Sequence, residues 1–176
     1  MEEQENVISL NISKIVTKSL AFCGFLAVAV VAPYFGNQLI TGSIVNALLF
    51  ISASIMGIEA AFLLCLVPSL ISLYTGLLPL AIAPMIPFIM TGNALLILVF
   101  VTIKNWGVGP PNFWAAAIPA AIIKYIFIFS AGTILANSIL HGIAKNVFLM
   151  ISWPQLATAI AGAAIAFLFL KTVKRI

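Results

Sequence analysis

Charged residues are scarce in this sequence, and their scarcity decides the class of protein. Only 7% of the 176 residues are charged, whereas 64% are hydrophobic, and the mean hydropathy is +1.25. A chain of this composition has too little polar surface to cover a soluble globule. Its apolar runs are long and continuous and do not alternate at every second residue, which favours spanning helices over barrel strands. The sequence therefore predicts an all-α integral membrane protein.

Residues for covalent chemistry, metal binding and nucleotide binding are also few. His141 is the only histidine, both cysteines lie singly inside apolar runs, and no GxxxxGK motif occurs. Since no nucleophile with a base, no paired carboxylates and no metal cluster can be assembled, we expect no enzyme activity, cofactor or metal. The basic residues stand singly or at the ends of apolar runs, as topology signals do, so we expect no nucleic-acid partner.

What the chain does contain is enough apolar sequence for about six crossings of ~20 residues. We predict one membrane domain, a compact bundle of six transmembrane helices, over residues 18–35, 39–57, 58–76, 79–103, 112–135 and 152–171. Residues 35–43 read as a polar connection, and the weak periodicity before residue 18 predicts an amphipathic surface helix. Six crossings place Lys104 and the basic residues near both termini on one side, which the positive-inside rule makes cytoplasmic.

The stretch over residues 77–100, which overlaps the predicted fourth span, is apolar but interrupted. Its first half contains Pro79, Pro84 and Pro87. Each proline removes a backbone donor and blocks the carbonyl one turn earlier, so this half cannot be a plain helix. Asn93 follows in the part that reads as ordinary helix. A broken membrane segment with an amide beside the break is typical of a cavity wall or a tight protein interface.

The fifth segment carries Lys124, which lies too deep in an apolar run to reach the surface easily. By helical spacing, its face is shared by Ala117, Ala120, Ala121 and Ala131. A lysine on an alanine-lined face points into a bundle or pocket, and a functional role is the default hypothesis for such a residue. An ion pair with Glu59 is the structural alternative, although a place at a helix start also explains Glu59. Asn93 and Asn46 are the candidate neighbours at the depth of Lys124.

Two further features allow more than one interpretation. Ser19, Cys23 and Ala27 are spaced four apart in the first segment, which leaves a low helix face that packs inside the protein or contacts a partner. Trp153, at the start of the sixth segment, either anchors the chain at the membrane interface or stacks on a flat ligand.

The runs ITGSIVNALLFISASIMG, LLPLAIAPMIPFIMTGNALLILVF and AAAIPAAIIKYIFIF resemble the substrate-binding S components of energy-coupling factor (ECF) transporters, over about residues 40–129. The resemblance implies a subunit in the cell membrane of a prokaryote that captures a vitamin or vitamin precursor in a pocket open to the outside. It also implies a transmembrane coupling subunit and two ATPase subunits as partners. By the same resemblance, the docking residues are Ser19, Cys23 and Ala27. The ligand-binding residues it implies are Asn37, Gln38, Asn93, Lys124, Trp153 and Gln155.

Two functions of other classes stay open. One is a self-contained oligomeric channel or secondary transporter lined by Lys124 and the broken segment, and the other is a scaffold subunit of a membrane complex. An inverted repeat would favour the transporter, but the proline cluster has no counterpart in the other half of the chain. An intramembrane enzyme using Glu59 and His141 is disfavoured, because the predicted topology puts these residues on opposite sides of the bilayer.

Overall fold

The computed structural model describes residues 2–106, 112–138 and 152–175, with side chains for residues 15–106, 112–137 and 152–175. These ranges contain six α-helices, two short 3₁₀ helices and no strand, so the predicted all-α class is confirmed. The α-helices are α1 (Glu2–Val31), α2 (Gln38–Ile55), α3 (Ile58–Tyr74), α4 (Ile86–Asn105), α5 (Phe113–Ser138) and α6 (Trp153–Thr172). The 3₁₀ helices are Ala32–Phe35 and Leu80–Met85.

Five helical segments are long and apolar enough to cross a membrane, which indicates a multi-pass membrane protein. They are Ile15–Phe35, Gln38–Ile55, Leu80–Asn105, Phe113–Asn137 and Trp153–Thr172. The remaining helix, α3, is apolar but has 17 residues, or about 26 Å at 1.5 Å per residue. The predicted surface helix before residue 18 is not a separate element, because α1 continues without interruption from Glu2 to Val31.

The connections around α2 differ in part from the prediction. The predicted polar connection over residues 35–43 is wrong, because α2 already begins at Gln38. Asn37 caps this helix, since its Oδ1 accepts hydrogen bonds from the backbone nitrogens of Leu39 and Ile40 at 2.9 and 3.2 Å. At the other end, Gly57 has a φ of 110° and separates α2 from α3, at the predicted boundary between the second and third spans.

The proline-rich segment before α4 is not α-helical, as predicted. Leu80–Met85 is a 3₁₀ helix that contains Pro84 and follows Pro79. Pro87 lies in the first turn of α4, where its missing N–H leaves no helical bond unmade. The break therefore lies at the start of α4. Asn93 is not beside the break, because it lies about two turns inside a regular helix.

Glycines bring α2 and α6 close together. A Cβ on Gly162 would lie 2.6 Å from Asn46 Cβ and 2.8 Å from the backbone nitrogen of Ala47. A Cβ on Gly42 would lie 2.8 Å from Thr158 Cγ2. Gly42 thus faces Thr158. Asn46, one turn later in α2, faces Gly162, one turn later in α6, so the two helices run parallel at this contact.

The other end of the bundle has an aromatic interior. Phe50, Phe100 and Phe113 are at most 2% exposed, and their rings meet edge to face with centroids 4.9 to 5.9 Å apart. At the same end, Lys104 Nζ donates to Ser54 Oγ at 3.3 Å, so the last turns of α2 and α4 lie together. We call this end, defined by the three phenylalanines, the aromatic end.

Candidate functional site

The side chain of Lys124 is buried between α2 and α4. Its Nζ donates to Asn46 Oδ1 and to Asn93 Oδ1, both at 2.6 Å, and the residue is 2% exposed. The alternative ion pair with Glu59 is wrong, because Glu59 is exposed in the first turn of α3. The lysine is therefore held by two neutral amides, both of which the sequence placed at its depth.

Small residues make room for this long side chain. The alanines predicted to share its face are all buried, namely Ala117, Ala120, Ala121 and Ala131. Gly92 lies opposite on α4, where a Cβ would be 2.7 Å from Ile128 Cδ1 and 3.7 Å from Lys124 Cγ. The close approach of α4 to α5 thus brings Asn93 within reach of the lysine.

The amide of Asn46 is fixed by bonds on both of its sides. Its Nδ2 donates to the carbonyl of Gly42 at 2.8 Å and to Thr158 Oγ1 at 3.3 Å. Thr158 Oγ1 in turn donates to the carbonyl of Gln155 at 3.2 Å. Because the Nδ2 group is committed to these acceptors, Oδ1 must face Lys124. Asn46 is therefore a positioning residue for the ammonium group.

A cavity of about 70 Å³ adjoins the lysine. Its buried polar lining consists of Thr41, Asn46, Ser69, Ser72, Asn93 and Lys124. The half-buried side chains of Gln38, Leu77 and Gln155 lie at its edge. One buried water needs at least about 10–15 Å³, so this cavity accepts a handful of waters or a group of a few atoms. It is smaller than the ~300–1,000 Å³ of pockets that enclose a whole drug-sized ligand.

Four of the six residues predicted to bind ligand line this cavity, namely Gln38, Asn93, Lys124 and Gln155. Asn37 and Trp153 do not line it. Asn37 is exposed and caps α2, and Trp153 is 58% exposed at the start of α6. The prediction missed Thr41, Ser69 and Ser72, and it treated Asn46 only as a neighbour. Gly42, one turn before Asn46, was the available signal for Asn46, because a small residue in an apolar helix marks a close helix contact.

The predicted docking face of α1 is exposed. Ser19, Cys23 and Ala27 all lie on the outside of the bundle, whereas Ala29 and Ala32 pack inside. The interpretation that this face packs inside the protein is therefore wrong. The face is available to lipid or to another protein.

Replacing Asn37 by alanine is expected to affect stability and not binding. Loss of an N-cap removes about 0.5–2 kcal/mol of stability, which for a chain of this length lowers Tm by roughly 1–8 °C. Thermal unfolding of the purified variant measures this loss. Binding of any molecule in the cavity should keep its wild-type affinity, and a tenfold weaker affinity in a folded Asn37→Ala protein would show that Asn37 belongs to the site.

The remaining chemistry-bearing residues form no second site within the described ranges. Among those residues, no group of three His, Cys, Asp or Glu side chains could hold a metal ion. His141, whose role the sequence left open, lies outside the described residues. No protein-family model, no curated protein and no solved structure matches the chain.

Proposed function

We propose that this chain is the substrate-capture subunit of an ECF-type, ATP-driven importer in a prokaryotic cell membrane, with a small vitamin or vitamin precursor as its ligand. The observation that carries the proposal is the buried amine of Lys124, held by two amide oxygens beside a cavity. A cation in such surroundings destabilises a protein unless an opposite charge joins it. Ligand capture explains why the chain keeps one there.

The position of the basic residues supports a cavity that opens outward. Lys104 and Lys171 lie in the last turns of α4 and α6, and Lys18 borders the same groove as Met56, at the end of α2. All three therefore lie at the aromatic end. By the positive-inside rule this end is cytoplasmic, with six helices crossing the bilayer and both termini inside. The cavity then lies toward the outer face.

The aromatic end also favours capture over conduction. A channel or a self-contained transporter needs an aqueous path or an alternating opening along its axis. Here Phe50, Phe100 and Phe113 pack against one another in the interior, and none of the three borders the cavity. A ligand that enters beside Lys124 therefore meets closely packed rings on the cytoplasmic side. Passage through this chain alone would require separation of its helices.

The exposed face of α1 supports a partner subunit. A groove of about 300 Å³ runs beside it between α1 and α3. It is bordered by Lys18, Ser19, Phe22, Cys23, Met56, Ala60 and Leu63. In the proposed complex a helix of the coupling subunit lies on Ser19, Cys23 and Ala27, where small side chains permit close approach. The two ATPase subunits supply the energy, and this chain performs no catalysis.

Replacing Ala27 by tryptophan is expected to disrupt that complex. The indole ring would hold a docked helix away from α1, and we expect recovery of the coupling and ATPase subunits to fall at least tenfold, which corresponds to about 1.4 kcal/mol. The measurement is quantitative mass spectrometry of the tagged full-length chain purified in mild detergent from its native membrane, with ATP-dependent uptake as a second readout.

Ala161→Trp is the matched control, because Ala161 is an exposed alanine on α6, away from this face. It should leave recovery unchanged. If the wild-type chain purifies without ATPase subunits, the importer proposal is wrong. Recovery as a homo-oligomer that conducts solute would support the channel, and recovery with unrelated membrane subunits would support the scaffold.

A further inference from the structure

The groups that face the cavity indicate the chemical class of the ligand. We infer that the ligand presents a monocarboxylate to Lys124 and that the side-chain amide of Asn93 donates directly to it. This inference rests on the proposed function, because it assigns a ligand to the same site. It makes a narrower claim, since a capture subunit could equally bind a neutral or a phosphorylated molecule.

The charge balance of the chain is the first observation. The sequence has four acidic residues, of which Glu2, Glu3 and Glu5 begin α1. The fourth, Glu59, is exposed in the first turn of α3, and that turn follows the last residues of α2 at the aromatic end. Glu59 does not border the cavity, and Glu2, Glu3 and Glu5 lie more than three turns before Lys18 in α1, on the side of the aromatic end away from the cavity. Among the described side chains, no carboxylate balances the ammonium of Lys124, and a bound anion would supply that charge.

The hydrogen-bonding groups are the second observation. A lysine ammonium has three N–H donors, and two of them go to Asn46 and Asn93. Asn93 Nδ2 has no hydrogen-bond partner among the described residues, and no unpartnered side-chain nitrogen or oxygen there is fully enclosed. Because Asn93 is 3% exposed and lines the cavity, its Nδ2 must face that space. One ammonium N–H and one amide group thus remain for an acceptor.

Hydroxyl groups complete the set of donors. Ser69 and Ser72, one turn apart on α3, are buried and line the same cavity. The carbonyl oxygens of Asn46 and Asn93 are both occupied by the lysine, and Thr41 Oγ1 donates to the carbonyl of Ala32 at 2.8 Å. The wall therefore offers donors from α3, α4 and α5 to a group that only accepts. An ionised carboxylate is such a group.

Charge and size favour a carboxylate over a phosphate. One lysine balances one negative charge, whereas a phosphate monoester carries about −1.5 to −2 and would leave charge uncompensated in the bundle. The cavity of about 70 Å³ accommodates a carboxylate and a few further atoms. The rest of a larger ligand would lie toward the edge, near Leu77 and Gln155.

The test compares acids with their uncharged amides on the purified full-length protein. Thermal unfolding is measured with acetate against acetamide, with benzoate against benzamide, and with inorganic phosphate, all at one ionic strength. We expect the acids to raise Tm saturably, by roughly 2–10 °C at about ten to a hundred times Kd, and the amides and phosphate to have little effect. Asn93→Ala should weaken binding of the better acid about tenfold.

Thr91→Val is the matched control, because Thr91 is exposed on α4 two residues before Asn93 and its hydroxyl bonds only the carbonyl of Pro87. It should bind the acid like the wild type. The inference is overturned if no acid exceeds its amide, if phosphate matches the acids, or if folded Asn93→Ala binds normally. Any of these results leaves the importer proposal standing as long as the coupling and ATPase subunits still copurify.

Discussion

Replacing Gly162 by alanine is expected to destabilise the protein more than the same change at Gly42 or Gly92, where the nearest atoms belong to side chains. The added Cβ would lie 2.6 Å from Asn46 Cβ, 2.8 Å from the Ala47 nitrogen and 2.9 Å from the Ser43 carbonyl oxygen. Two of these three atoms belong to the backbone of α2 and cannot rotate away, so α6 must move. Overpacking of this kind removes about 1–3 kcal/mol, or roughly 2–12 °C in Tm. Thermal unfolding of the purified variant measures the loss.

Gly24→Ala provides the matched control for this substitution. A Cβ on Gly24 would have no other atom within 4 Å, and Gly24 is also helical. Alanine favours the helical conformation over glycine by about 1 kcal/mol at most, so the Gly24→Ala protein should unfold at or slightly above the wild-type Tm. Gly162→Ala should also bind the carboxylate probes more weakly, because a shift of α6 displaces Thr158, which accepts a hydrogen bond from Asn46. Equal Tm values for the two variants would show that α2 and α6 are not in close contact.

Replacing Lys124 by methionine is expected to abolish carboxylate binding while the protein stays folded. Methionine fills a similar volume, so no large cavity forms, and removal of a buried charge offsets the loss of its two hydrogen bonds. The amide oxygens of Asn46 and Asn93 can then bind water in the adjoining cavity. Affinity for benzoate should fall at least about a hundredfold, or ~2.7 kcal/mol, because both the ion pair and its hydrogen bonds disappear. Titration followed by Tm measures this change.

Lys104→Met serves as the control for charge removal. Lys104 is also part of a helix packed in the bundle, but it bonds Ser54 at the aromatic end and does not line the cavity. Its loss should leave benzoate binding within about twofold of the wild type. If a folded Lys124→Met protein binds benzoate as tightly as the wild type, Lys124 is not part of the binding site. Loss of binding in both variants would point instead to the overall charge of the protein.

The sequence allowed the helices and the surroundings of Lys124 to be predicted because both depend on local patterns. Continuous apolar runs require helices in a membrane, and the alanines at helical spacing around Lys124 showed that its face had to be buried. Prolines likewise showed where α4 could not begin. Depth in the bilayer, counted from the ends of each run, brought Asn93 and Asn46 to the level of the lysine. These inferences need no knowledge of which helices touch.

The rest of the site depends on contacts between helices, which the residue pattern of a single helix does not reveal. Asn46 and Thr158 are 112 residues apart, and only the packing of α2 against α6 brings them together. Asn37 was misplaced because a polar side chain beside an apolar run fits a loop, a helix cap or a ligand site equally well. The structure identifies the cap through two hydrogen bonds to backbone nitrogens. Trp153 was misplaced for a similar reason, since an exposed ring at a helix start also suits the membrane interface.

If Lys124 binds an anionic ligand as proposed, the supply of that ligand affects how much of the protein survives in the cell. When the site is empty, the uncompensated charge lowers the free energy of unfolding, and a bound anion restores it. A shift of 1–2 kcal/mol changes steady-state abundance several-fold, because quality-control proteases remove unfolded chains. Under this proposal, cells deprived of the ligand should degrade the protein faster than well-supplied cells, even when its gene is transcribed at the same rate.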